Sequence, residues 1–283
     1  MSNKLPTYFI SHGGGPWTHM KDQQGRMYDA LEASLKDIPR QIGRKPKAVL
    51  MVSGHWEEPE FTVMTGERPP MLYDYYGFPP HTYRIRYDAP GSPAVAARVR
   101  ELLQEGGLPA RENRERGFDH GTFVPMFAVY PDADVPVVQL SVKNGYDPAT
   151  HLAAGRALAP LREEGVLIVG SGLSYHNLRH MGPAARDVSK AFDGWLQETL
   201  VRADPAERSR RLMQWDRAPA ARVAHPQEDH LIPLMVAVGA AEGERASLVY
   251  HEDAFFGGVA VSSFRFGDEV TVATTPREPS RMA

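Results

Sequence analysis

The chain has 283 residues, 42% of them hydrophobic, which suffices for a sizeable core in one large domain or two small ones. A formal net charge of −3 gives no electrostatic pull toward nucleic acid or an anionic membrane, so neither is expected as a partner. Cysteine is absent, which removes disulfides, thiolate ligands and thiol nucleophiles.

No run approaches about 18 consecutive apolar residues, and the N-terminus lacks the basic-then-apolar pattern of a signal peptide. A soluble, cytoplasmic protein is the expectation. The first apolar run, from Thr7, reads as a buried strand that ends in Ser11-His12 and three glycines. Met27 to Ile38 carries Leu31, Leu35 and Ile38 at helical spacing, with Pro39 expected to stop it. Ala48 to Ser53 is a second strand, running into Gly54-His55-Trp56, and Phe61 to Met64 a short third. The stretch from about 66 to 91 is rich in Pro, Tyr and Gly, and its aromatic segment Tyr73 to His81 is a candidate lid.

Ser92-Pro93 supplies a cap and a first-turn proline for a helix to Glu105, closed by Gly106-Gly107. Gly117 to Pro125 reads as a turn before a short apolar helix, Met126 to Tyr130. Val135 to Val142 is a strand, Asp147-Pro148 caps a helix reaching Arg162, and Val166 to Val169 is a strand ending in Gly170-Ser171-Gly172-Leu173-Ser174-Tyr175-His176-Asn177. Arg186 to Ala203 is amphipathic. His225 to His230 leads into an apolar helix, Leu231 to Ala241. Leu248 to Tyr250 and Val259 to Phe264 read as closing strands, and Thr275 to Ala283 as a frayed tail. Alternating strands and helices without a linker or repeat predict a single α/β domain over residues 1–283, with a largely parallel central sheet flanked by helices.

Three strands thus end in Gly, Ser and His. In open α/β sheets ligands bind beyond the carboxyl ends of the strands, so these histidines are placed for one shared site. Neutral imidazoles are good ligands for Zn(II) and Fe(II). A hydrolase reading competes. His12-Gly13-Gly14-Gly15 matches the oxyanion-hole motif of some lipases, but the required Gly-x-Ser-x-Gly elbow is missing. His225 and His230 are five apart, so they do not share a helix face; one suits a ligand role and the other a supporting one. His81 and Tyr75, in the aromatic loop, are substrate-binding candidates together with His225.

Five motifs occur in order: Ser-His-Gly-Gly-Gly-Pro from Ser11, Ser-Gly-His-Trp-Glu from Ser53, Asp-His-Gly-Thr-Phe-Val-Pro from Asp119, Gly-Ser-Gly-Leu-Ser-Tyr-His-Asn from Gly170, and His-Pro-Gln-Glu-Asp-His-Leu-Ile-Pro-Leu from His225. Together they resemble the class III extradiol ring-cleavage dioxygenases, in their DOPA 4,5-dioxygenase-like branch. The resemblance implies a mononuclear non-haem metal and O2-dependent opening of a catechol, DOPA-like, as the small-molecule substrate. It assigns His12, His55 and His230 as metal ligands, the last standing where protocatechuate-type relatives have glutamate. It assigns His176 as acid/base and candidate fourth ligand, and His120 as a contact to substrate or oxygen. Either Zn(II) or Fe(II) suits three imidazoles, with Fe(II) expected for dioxygenase turnover. The alternative is a zinc-dependent hydrolase or amidase using the same three histidines. Ser11, Ser53, Glu57 and Asp229 are candidates for orienting the ligand rings.

Overall fold

The computed structural model describes residues 4–268, and the tail read from Thr275 lies outside them. The strands are β1 (Thr7–Ser11), β2 (Ala48–Glu58), β3 (Phe61–Met64), β4 (Ala110–Asn113), β5 (Val137–Lys143), β6 (Val166–Gly172), β7 (Ala246–Phe255) and β8 (Val259–Phe266). They form one sheet in the order β4-β3-β5-β2-β6-β1-β8-β7. Its centre, β5-β2-β6-β1, is wholly parallel, while β8 and β7 close one side antiparallel. The apolar runs of β1, β2, β5 and β6 are buried, as strands covered on both faces must be. Among the described residues, no helix is long and apolar enough to cross a membrane.

Helix starts follow the local chemistry. Ser92 Oγ accepts from Val95 N at 3.3 Å and opens the helix Pro93–Glu105. Asp147 does the same for Pro148–Leu158, accepting from Thr150 N at 2.8 Å.

Two prolines behave differently from the expectation. Pro39 does not stop its helix, which spans Asp29–Ile42. The extra turn buries Ile42, and Gly43, at φ 71°, donates to the Pro39 carbonyl to close it. Pro125 likewise lies inside a helix, His120–Val129, so His120 opens a helix rather than occupying a turn.

The second strand also runs further than Ser53. Its pairing with β5 shifts register between Ser53 and Glu57, and His55 falls in that bulge, inside the strand rather than beyond it. Bulges re-aim side chains at sites of this kind. The helix after His230 is shorter than expected, Pro233–Gly239, and it packs on β6 and β1. His12, His55 and His230 therefore come from a strand end, a bulge and a helix approach that converge at the carboxyl edge of the parallel strands.

Candidate metal centre

The approach of His230 depends on the absence of two side chains. A Cβ on Gly172 would stand 1.9 Å from the His230 carbonyl oxygen, and one on Gly54 would stand 2.7 Å from that of Asp229. With hydrogens there instead, Leu173 N donates to the His230 carbonyl at 3.1 Å, and the His230 ring lies against those from β1 and β2.

Three ring nitrogens meet as a result. His55 Nε2 is 3.1 Å from His12 Nε2 and 3.1 Å from His230 Nε2. Each of these rings is engaged on its other side: His12 Nδ1 with Ser171 Oγ at 3.0 Å, His55 Nδ1 with Asp74 Oδ2 at 3.3 Å, and His230 Nδ1 with Asp229 Oδ2 at 2.7 Å.

The tautomer of His12 follows from hydrogen-bond accounting. Pro125 has no N–H, so the Gly121 carbonyl lacks its helical donor four residues on. Ser171 Oγ donates to that carbonyl instead. A hydroxyl has one proton, so Ser171 must accept from His12 Nδ1–H, which leaves the His12 Nε2 lone pair facing the centre. Carboxylates at Asp74 and Asp229 select the same tautomer for His55 and His230 when ionised. Burial first, then the neighbouring imidazoles, pushes His12 and His230 well below the ordinary histidine range, and His55 to about 3. Three neutral imidazoles with lone pairs converging at this spacing repel one another, and a shared cation relieves that repulsion. The donor set fits one divalent metal.

Two further histidines flank this trio. His120 receives a double clamp from Asp74, whose Oδ1 accepts from His120 N at 2.9 Å and Nδ1 at 2.7 Å. Ligand atoms of His12, His55 and His120 also lie within 4.8 Å of one another, as do those of His176, Asp229 and His230. The His176 ring stacks on His230 with centroids 3.5 Å apart and planes 19° apart, and its Nδ1 is 3.8 Å from Asp229 Oδ1. Burial holds the His176 imidazole below the ordinary range, with Asp229 opposing.

The five histidines open into a cavity of about 580 Å³, a size usual for small-molecule sites. Tyr75 is on its wall. His81 and His225, the other two substrate-binding candidates, lie off that wall. His81 lies on the exposed side of the turn Pro80–Arg84, opposite the fully buried Thr82, with Nε2 3.0 Å from the His19 carbonyl. His225 is buried against Phe192 and Trp215 and pairs with the Ser174 carbonyl at 2.9 Å; burial pushes its pKa to about 4.

Of the four expected orienting residues, Asp229 reaches a ring of the trio, that of His230. Ser53 instead accepts from the His55 backbone N at 3.1 Å, Ser11 donates to the Ser262 carbonyl, and Glu57 accepts from the Tyr146 hydroxyl. The residues not anticipated are Ser171 and Asp74. Asp74 is brought in because Tyr73 and Tyr75 pin the aromatic loop, each donating its hydroxyl to a carbonyl, of Ile85 and Thr82, at 2.6 Å.

A family described as the catalytic LigB subunit of aromatic ring-opening dioxygenase matches residues 6–265. The chain is 37% identical over 270 residues to a 4,5-DOPA dioxygenase extradiol of Beta vulgaris, covering 93% of this chain and 97% of that one. It is 41% identical over 250 residues to one from Portulaca grandiflora, covering 86% and 89% respectively. A crystal structure of an uncharacterized protein from Escherichia coli K12 superposes with a TM-score of 0.76 at 30% identity, covering 93% of this chain and all of that one. Members of the matched family use a divalent metal. With this sheet, this histidine cluster and these relatives, the chain belongs to the LigB family of aromatic ring-opening dioxygenases.

Proposed function

We propose that the protein opens the ring of a catechol beside one hydroxyl, incorporating O2, with His12, His55 and His230 holding one divalent metal. The observation that carries this reading is the convergence of three Nε2 atoms, each ring having its Nδ1 engaged elsewhere. When bound, a divalent metal there supplies Lewis acidity to the catechol oxygens, and iron adds the redox capacity that zinc lacks. Fe(II) is the turnover metal in this account and Zn(II) a resting occupant.

The remaining roles belong to side chains on the cavity wall. His176 takes the second phenolic proton and returns it later, acting as base and then acid. Its stacking on His230 fixes the plane in which it can do so. His120 has Nδ1–H committed to Asp74, so its Nε2 is the atom available to a substrate hydroxyl or to oxygen. Tyr75 and Phe78, packed edge to face on the cavity wall, limit water around the ring.

His120 also comes close enough to His12 and His55 to compete for a ligand position. We assign it to substrate because the closer convergence, 3.1 Å from His55 Nε2 to both His12 Nε2 and His230 Nε2, favours His230 as the third ligand and leaves His120 Nε2 for substrate. The test is anaerobic loading with Fe(II), followed by oxygen uptake on catechol and DOPA. Iron-dependent uptake with a yellow ring-opened product supports the reading. Uptake that is absent at every iron loading, with amide or ester hydrolysis by the zinc form, replaces it with the hydrolase alternative.

A further inference from the structure

The mouth of the cavity has an unusual surface. Tyr76 is 91% exposed and Leu178 75% exposed, more than any other large hydrophobic side chain among the described residues, and both line this one opening. Scattered exposed hydrophobics are ordinary, but two concentrated at the rim of a binding cavity mark a surface that a ligand covers. Phe78, Phe255, Phe256 and Met181 extend the apolar wall of the same cavity. At about 580 Å³ the cavity is larger than a bare catechol ring needs, so it has room for a substituent.

The charge on the wall points the same way. Among the described residues no lysine or arginine lines the cavity, so a substrate carboxylate on the side chain finds no cationic side chain away from the metal ligands. The wall carries one carboxylate, Asp74, and its oxygens are taken by His120 N, His120 Nδ1 and His55 Nδ1. A substrate ammonium therefore finds no free carboxylate on the wall, only a neutral acceptor such as the amide oxygen of Gln24. A charge moved out of water without a partner is costly, whereas an alkyl group gains by covering Leu178 and the phenyl rings.

Resting on the ring-opening reading above, we propose that the preferred substrate is an uncharged catechol with an apolar substituent, lodged between Leu178 at the rim and the Phe255–Phe256 wall, and not an amino acid or carboxylic acid. Leu178 is then a specificity-determining residue.

A matched pair of probes tests this on the iron-loaded protein. 4-Propylcatechol and 3-(3,4-dihydroxyphenyl)propanoate have side chains of the same length, ending in a methyl and a carboxylate. Oxygen uptake is expected to give 4-propylcatechol a kcat/KM at least tenfold above both the propanoate and DOPA. Leu178→Arg, which places a cation at an exposed position, should shrink that ratio at least tenfold. Equal or better turnover of the propanoate or DOPA by the wild type overturns the proposal. The same ratio is read as Kd by anaerobic titration calorimetry on the zinc-loaded protein. If no catechol, unsubstituted catechol included, supports uptake, the ring-opening reading fails, and the binding ratio still decides for or against the apolar preference.

Discussion

Ser171 Oγ lies 3.0 Å from His12 Nδ1 while its own proton goes to the Gly121 carbonyl. A proline in a helix thereby sets the tautomer of a histidine on another strand: Pro125 withholds a donor, Gly121 takes one from Ser171, and Ser171 must accept from His12. Ser171→Ala should lower metal affinity by about tenfold to a hundredfold, the usual cost of losing such a partner, as read by chelator competition. Unchanged affinity would mean that His12 is oriented by something else.

Asp74 connects the aromatic loop to two histidines at once. Asp74→Ala should cut kcat/KM more than tenfold and speed limited proteolysis near Tyr76, because the loop loses its tie to the site. A variant with slower turnover and unchanged cleavage would show that Asp74 tunes His120 without holding the loop.

Gly172 is required for space. Overpacking of this kind costs about 1–3 kcal/mol, and the displaced segment carries His230, so Gly172→Ala should lose both stability and metal. Gly194 is the control. It lies within the helix Arg186–Gln197 with nothing near its missing Cβ, and Gly194→Ala should raise stability by about 0.5–1 kcal/mol. Urea melts of the two variants, with metal content, check both signs.

Acid sensitivity has a source remote from the centre. His151 is fully buried, accepting from Lys143 N at 3.1 Å and donating to the Asp147 carbonyl at 2.7 Å, and burial pushes its pKa to about 4. A histidine depressed below its unfolded value binds its proton more readily in the unfolded chain. Its contribution is complete above about pH 6.5 and is lost as pH falls toward 4, a difference of about 3 kcal/mol. Wild-type stability should decline across that window, and His151→Gln should flatten part of the slope at the expense of stability at neutral pH. Parallel pH profiles for the two proteins would remove His151 as a cause.

What could be read directly from the chain was whatever depends on neighbours in sequence. The apolar runs ending at Ser11-His12 and at Gly172 are strands because their residues are buried on both faces, and the caps at Ser92 and Asp147 are used as their chemistry indicates. His12 and His55 stand at Gly-Ser-His strand endings and His230 in the last of the ordered motifs, and the structure brings the three rings together. The rest depends on contacts between distant segments. Nothing near Ser171 in sequence announces that Pro125 will leave a carbonyl for it, and Asp74 resembles any loop aspartate until Tyr73 and Tyr75 pin the loop. His81 and His225 lie off the cavity wall, since a histidine beside site residues in sequence need not face the site. Thr82 turns inward and carries His81 out, while Phe192 and Trp215 enclose His225.

The centre itself is tested most directly by elemental analysis of purified wild type, His12→Ala, His55→Ala, His230→Ala and His176→Phe after loading with one divalent metal and gel filtration. The account predicts one metal per chain in the wild type and in His176→Phe, with loss in each of the three alanine variants. Metal stripped by His176→Phe, or retained by His230→Ala, would contradict it.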